Sequence, residues 1–199
     1  MKRQKQLKDI TKRIAGIIKT SELFACGIKQ HEIRWLVSKG VITRVKHGYY
    51  QTGDSEQISE EEQIAQLFPD GILCMYTALF FYGYSNRTPM VWDIAIDKNT
   101  SKSRFKLDYP YVQPYYLEPH LLIFGVTMAE YPDCKMQIFD RDRLICECLK
   151  YENKIDRETF NKAIQGYVAD SKKNIAKLLE YAEKRRLLNK VKDRVGVWL

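Results

Sequence analysis

The stretch Thr20-Ser-Glu-Leu-Phe-Ala-Cys-Gly-Ile-Lys-Gln-His-Glu-Ile-Arg-Trp-Leu-Val-Ser-Lys-Gly-Val-Ile-Thr-Arg-Val-Lys-His-Gly-Tyr-Tyr50 decides how the first quarter of the chain folds. Thr20-Ser21-Glu22 predicts the start of a very short helix, with Thr20 or Ser21 as its cap. Cys26-Gly27-Ile28 reads as a tight turn in which Gly27 takes positive φ. A longer helix is predicted over Gln30 to Lys39, stopped by Gly40. Ile42 to Lys46 and Tyr49 to Gln51 read as strands joined through His47-Gly48. Upstream, Ile10, Ile14, Ile17 and Ile18 at helical spacing predict another helix over Asp9 to Ile18. Helix, helix, turn, helix and basic hairpin is the order of a winged helix-turn-helix, assigned to residues 1–52.

At about 100° per residue the Gln30–Lys39 helix gathers Ile33, Leu36 and Val37 into one apolar sector. The opposite side carries His31, Arg34, Trp35 and Ser38, with Lys29 and Gln30 at the flank. These side chains suit groove reading, since Arg bonds guanine bidentately and Gln bonds adenine. Arg44, Lys46 and His47 on the hairpin are placed to meet phosphates or the minor groove. Lys2, Arg3, Lys5 and Lys8 form an arm that adds salt-dependent attraction. Trp35, opposite the apolar stripe, is better read as packing on a neighbouring element than as a base contact.

The charge of the 199 residues is unevenly spread around a net +8. Residues 1–52 hold twelve Lys/Arg against three Asp/Glu, residues 53–170 twelve against nineteen, and residues 171–199 nine against three. A basic module, an acidic body and a basic terminal helix is the asymmetry of a nucleic-acid binder. The longest apolar runs are far short of the ~20 residues that span a bilayer. No secretory signal follows the basic Met1-Lys-Arg-Gln-Lys. Five cysteines in no regular framework fit a reducing cytoplasm.

Residues 53–56 read as a linker and 57–199 as a mixed α+β domain ending in several helices, which makes the whole chain α+β. A helix is predicted over Gln57 to Phe68. Leu73 to Tyr82 reads as a buried strand or helix, because periodicity does not separate the two. Strands are predicted over Val91 to Asp97, Arg104 to Leu107, Val112 to Leu117, Leu121 to Thr127 and Lys135 to Phe139. Helices follow from Asp140 to the end, with turns near Asn153 and Asp170. Ile175, Leu178, Leu179 and Ala182 form the apolar stripe of a terminal helix. Lys173, Lys177, Lys184, Arg185 and Arg186, widened by Arg141, Arg143 and Lys150, make a candidate second basic face for flanking DNA or another partner.

The quoted N-terminal stretch looks like the winged-helix start of AbiEi-type antitoxins, the antitoxin and repressor halves of bacterial type IV abortive-infection systems. Thr77-Ala-Leu followed by Tyr82-Gly83 resembles a family Ser-Ala-Leu before Tyr/His-Gly. Asp142-Arg-Leu-Ile-Cys-Glu147 resembles a Glu-Arg-Thr-Ile-x-Asp element, departing from it at Leu144 and Glu147. Tyr151 to Asp156 and Leu178 to Ala182 follow in the family's order. The resemblance implies repression of the protein's own operon through promoter inverted repeats. It also implies neutralisation of a cognate nucleotidyltransferase-like toxin by the C-terminal domain without a stable complex. Without an obvious dimer seam, monomers binding cooperatively on paired half-sites are expected.

Two other classes stay open at this stage. A transcription factor with a ligand-sensing C-terminal domain would use the aromatic stretch Tyr109 to Tyr116 as a small-molecule pocket. A magnesium-dependent nuclease would join Asp133 and Lys135 to an upstream carboxylate, Asp93, Asp97 or Glu118; as an ordinary turn, Pro132-Asp-Cys is a hairpin tip. Cys146 and Cys148, two apart on a helix, fall on different faces and do not chelate one ion. No catalytic residue, metal or cofactor is expected.

Overall fold

A computed structural model describes Leu7, Thr11 and residues 16–52 and 58–196. It is a mixed α+β protein of two compact units. The first unit takes the described residues up to Pro69 with Lys106–Pro110 and Pro132–Cys134, and the second takes the rest.

In the first unit, strands β1 (Gly16–Lys19), β2 (Ile42–Lys46) and β3 (Tyr49–Thr52) form an antiparallel sheet in the order β1-β3-β2. Helices α1 (Thr20–Ala25) and α2 (Gln30–Ser38) lie between β1 and β2 in sequence, and α3 (Glu60–Leu67) follows the sheet. Leu7, Ile18, Leu23, Ile28, Ile33, Leu36, Ile42 and Tyr50 share one core, with Trp35 and Val41 packed against it. Each such side chain contributes roughly 1.5–3 kcal/mol on burial.

The helix expected to reach Ile18 does not: Gly16 to Lys19 pair with Thr52 to Tyr49 as a strand. Ile17 and Ile18 satisfy either period, and the pairing with distant β3 decides between them. Leu7 and Thr11 are helical, with the Thr11 hydroxyl donating to the Leu7 carbonyl at 3.1 Å. The other expected residues of that helix, and the Lys2–Lys8 arm, lie outside the described residues. Gly16 has φ +103, and a Cβ there would sit 2.9 Å from Gln66 Oε1, the atom that accepts the Ile17 N–H at 2.7 Å. That bond ties α3 to β1. Helix α3 begins at Glu60 because the Ser59 hydroxyl accepts the Glu62 N–H at 3.2 Å.

The second unit holds a five-stranded mixed sheet in the order β6-β5-β4-β8-β7, built from β4 (Ile72–Leu73), β5 (Trp92–Asp97), β6 (Val112–Leu117), β7 (Val126–Glu130) and β8 (Lys135–Phe139). Leu73 to Tyr82, ambiguous by periodicity, resolves into the end of β4 and helix α4 (Met75–Phe81). Helices α5 (Arg141–Lys150), α6 (Arg157–Ala169), α7 (Ile175–Lys184) and α8 (Leu188–Arg194) complete it. Asp140, Asp156 and Asn174 cap α5, α6 and α7 through N–H groups three residues on.

Two expected strands are corrected. Lys102–Phe105 is a 3-10 turn, closed by the Arg104 N–H on the Ser101 carbonyl at 3.1 Å. The run from Leu121 starts inside another 3-10 turn, and Gly125 at φ +63 breaks it, so the strand begins only at Val126. In α7, Leu178 and Ala182 are buried as expected, but Leu179 is exposed and Tyr181 takes its inward place.

Candidate nucleic-acid interface

The short segment between α1 and α2 is held by backbone bonds that sequence position dictates. Gly27, at φ +74, lets the Gly27 and Ile28 N–H groups return to the Phe24 and Leu23 carbonyls at 2.9 and 3.0 Å. The residue entering α1 is Lys19, not Thr20 or Ser21, because the Glu22 carboxylate reaches back to the Lys19 N–H at 2.7 Å. Glu32 does the same for Lys29 at 2.8 Å, and is buried in doing so. Gly40 (φ +64) ends α2 after Ser38 and Gly48 (φ +81) turns the hairpin, both at the expected places. The Thr20 N–H bonds the Gly48 carbonyl at 2.8 Å, which pins that turn to the start of α1.

With Ile33 and Leu36 buried, α2 presents Gln30, His31, Arg34 and Ser38 outward. Val37, assigned to the apolar sector, is instead 37% exposed. A groove of about 530 Å³ runs between α2 and the β2–β3 hairpin. Gln30, Arg34 and Ser38 line one side, Arg44 and His47 the other, and Tyr50 is buried among the lining residues. Five of the eight residues expected to meet DNA thus converge. His31 and Lys29 are exposed outside the groove. Ser38 donates its hydroxyl to the Trp35 carbonyl at 2.8 Å, which leaves it an acceptor toward a ligand. Trp35 is half-buried against the core.

Lys46 is the correction in this set. It is only 8% exposed, and its ammonium lies 4.3 Å from the Tyr49 ring centroid and 4.8 Å from that of Phe68. The register slips between Arg44 and Lys46, which sets Lys46 across from Tyr49. A cation held on two aromatic faces is not presented to a phosphate. Lys46→Ala is accordingly expected to lower stability while leaving the salt dependence of DNA binding unchanged; thermal melts and a salt titration of the variant check both halves.

The expected second basic face is also corrected. Arg143 and Arg185 are buried, both bonded to Glu147, at 2.8 and 2.7 Å. Arg141 is half-buried, paired with Asp170 at 2.8 Å and stacked 4.5 Å from the Tyr82 centroid. Lys173 is turned onto the end of α6, donating to the Val168 carbonyl at 2.8 Å. Lys184 is exposed and pairs with Glu180 at 2.6 Å, and Lys177 is exposed. Lys150 and Arg186 both line a concavity of about 530 Å³, together with Lys190 and Glu183. Of the eight residues expected on this face, Arg141, Arg143, Lys173 and Arg185 are thus engaged within the fold, and Lys150, Lys177, Lys184 and Arg186 stay exposed.

The three upstream carboxylates considered for a nuclease each have another role. Asp93 accepts the Tyr76 N–H at 2.9 Å, Asp97 accepts the Asn99 N–H at 2.8 Å, and Glu118 pairs with Lys98 at 2.9 Å. Lys135 pairs with Glu130 across the β7–β8 hairpin at 2.6 Å. Among the described residues, no group of three or more His, Cys, Asp and Glu is placed to hold a metal ion. Cys146 and Cys148 are both buried in α5, and burial pushes the Cys146 thiol up to about 12. Among the described residues no helix is long and apolar enough to cross a membrane.

A family model described as "Transcriptional regulator, AbiEi antitoxin" matches residues 5–53. That stretch is AbiEi-like. The match contains the whole groove and both elements that line it. Within the AbiEi-like stretch, sequence reading missed β1, the Glu22 and Glu32 caps and the place of Tyr50. Only the Glu residues three positions into each helix were a usable signal for the caps. No curated protein matches the chain.

Proposed function

We propose that the AbiEi-like module is a winged helix-turn-helix with α2 as its recognition helix, and that it represses the protein's own operon by binding inverted repeats in the promoter. The observation that carries this reading is the groove, which sets Gln30 and Arg34 of α2 opposite Arg44 and His47 of the hairpin. Helix side chains of these types read base edges in a major groove, while hairpin cations hold the backbone. One such module covers a single half-site, so useful specificity comes from monomers bound side by side on paired repeats. The rest of the chain, from residue 57 on, acts against a nucleotidyltransferase-like toxin without a stable complex, in the cytoplasm. The family named by the match and the order of the resembling segments support that assignment.

Gel shifts on the upstream DNA test the division of labour within the groove. Arg34→Ala is expected to weaken operator binding by about 1–3 kcal/mol and to relax specificity at one base position. Arg44→Ala is expected to weaken operator and random DNA alike and to lower the salt slope by about one. Equal losses on operator and random DNA for Arg34→Ala contradict its base-reading role. Rescue of toxin-arrested cells by the protein tests the second role, and failure to rescue removes it.

A further inference from the structure

On the sheet of the second unit, β5 and β6 run parallel in a register that pairs Asp93 with Gln113 and Ala95 with Tyr115. Alternation along the strands puts all four on one sheet face. Asp93, Gln113 and Tyr115, together with Tyr76 from the first turn of α4, line a cavity of about 340 Å³. The loop Arg87–Val91 completes its rim, with Met90 almost fully exposed at 89%. This volume lies at the lower end of the range for small-molecule sites, roughly 300–1,000 Å³.

Asp93 is only 4% exposed, and among the described residues it forms no ion pair. Its carboxyl accepts the Tyr76 N–H, and the nearest guanidinium of the rim, Arg87, is engaged instead by Glu158 at 2.6 Å and Asp156 at 3.6 Å. Burial pushes the Asp93 carboxyl up to about 7, against the opposing pull of the Tyr76 and Thr77 N–H groups. The other titratable groups facing it are Cys74 and Tyr76 at the start of α4, Tyr115 on β6 and Cys148 on α5. Burial raises each of these above its ordinary value, so they stay neutral between pH 6 and 8 and supply no counter-charge. A desolvated carboxyl without a cation, in a cavity with tyrosine and apolar lining, is complemented by a small cation that carries apolar surface.

We infer that the Asp93–Tyr115 cavity is a binding site for a small organic cation, an amine or amidine on a short apolar or aromatic stem. The ligand's N–H groups meet the Asp93 carboxylate while its stem lies against Tyr76 and Tyr115 under the Pro89–Val91 rim. The site belongs to the second unit alone and stands independently of DNA binding by the first.

Calorimetric titration of the full chain with benzamidine, and with neutral benzamide as its near-isostere, tests the inference. Saturable binding of benzamidine at pH 8 is expected, with benzamide at least about tenfold weaker. Only the ionised carboxylate attracts the cation, so affinity falls about tenfold from pH 8 to pH 6 as Asp93 takes up its proton near pH 7. Asp93→Asn keeps an oxygen for the Tyr76 N–H and is expected to abolish the preference for benzamidine. No saturable binding at pH 8, equal binding of the amide, affinity independent of pH, or wild-type binding by a folded Asp93→Asn each overturns the inference. If that variant does not fold, the wild-type pH profile and the amidine/amide ratio decide.

Discussion

Glu147→Ala is expected to destabilise the protein by about 3–5 kcal/mol, the cost of leaving buried charges without their partner. The Glu147 carboxylate takes Arg143 Nε at 2.8 Å and Arg185 Nη2 at 2.7 Å, and all three side chains are buried. Arg143 has further support from the Leu121 carbonyl at 3.0 Å and from the rings of Phe124 and Phe139, at 4.0 and 4.8 Å from their centroids. Burial already pulls the Arg143 guanidinium below its ordinary value, and Glu147 is the main opposing influence. Removing the carboxylate leaves two guanidinium groups close together in a dry site. Among the described residues, Arg143 Nη1 and Arg185 Nε have no hydrogen-bond partner even with Glu147 present. Urea unfolding of the variant measures the effect. A loss under about 1 kcal/mol, the range of exposed pairs, contradicts the buried triad. Glu147→Gln retains an acceptor and is expected to lose less.

Gly125→Ala is the second large effect, about 2–5 kcal/mol. Gly125 holds φ +63 where the chain enters β7, and left-handed backbone costs an L-residue roughly 1–2 kcal/mol. A Cβ built there meets Arg143 Cβ at 2.6 Å and Cγ at 2.9 Å, with the Tyr181 ring at 3.2 Å. The stem of a buried arginine fixed at its far end by Glu147 has nowhere to move, so overpacking adds about 1–3 kcal/mol. Because both changes act on Arg143, the double variant Gly125→Ala with Glu147→Ala is expected to lose less than the sum of the two. Additive losses in urea unfolding contradict the shared mechanism.

The parts of the fold legible in the sequence are those written in local chemistry. Gly27, Gly40 and Gly48 mark left-handed positions, so the turn between α1 and α2, the end of α2 and the hairpin were placed from residue type alone. Ile33 and Leu36 set the buried face of α2 and left Arg34 outside it. What was not legible depends on distant partners. Gly16–Lys19 is a strand because β3 pairs with it, and no local period distinguishes that from a helix. Arg143 and Lys46 have partners close in sequence, Glu147 four residues on and Tyr49 three. Their burial is completed by distant residues, Arg185 on the same Glu147 carboxylate and Phe68 over Lys46, and that is what a local reading lacks. The sequence shows Asp93 as a carboxylate and Tyr115 as part of an aromatic strand. Their shared cavity emerges only from the parallel β5–β6 register.

The central claim is that the groove between α2 and the hairpin reads a specific operator. A quantitative gel shift with footprinting on the protein's own upstream DNA, at near-physiological salt, tests it most directly. The predicted result is protection of paired inverted repeats, with affinity at least about 10³-fold above random DNA and a preference lost in the Arg34→Ala, Arg44→Ala double variant. Equal affinity for upstream and random DNA, or a footprint unchanged in that double variant, contradicts it.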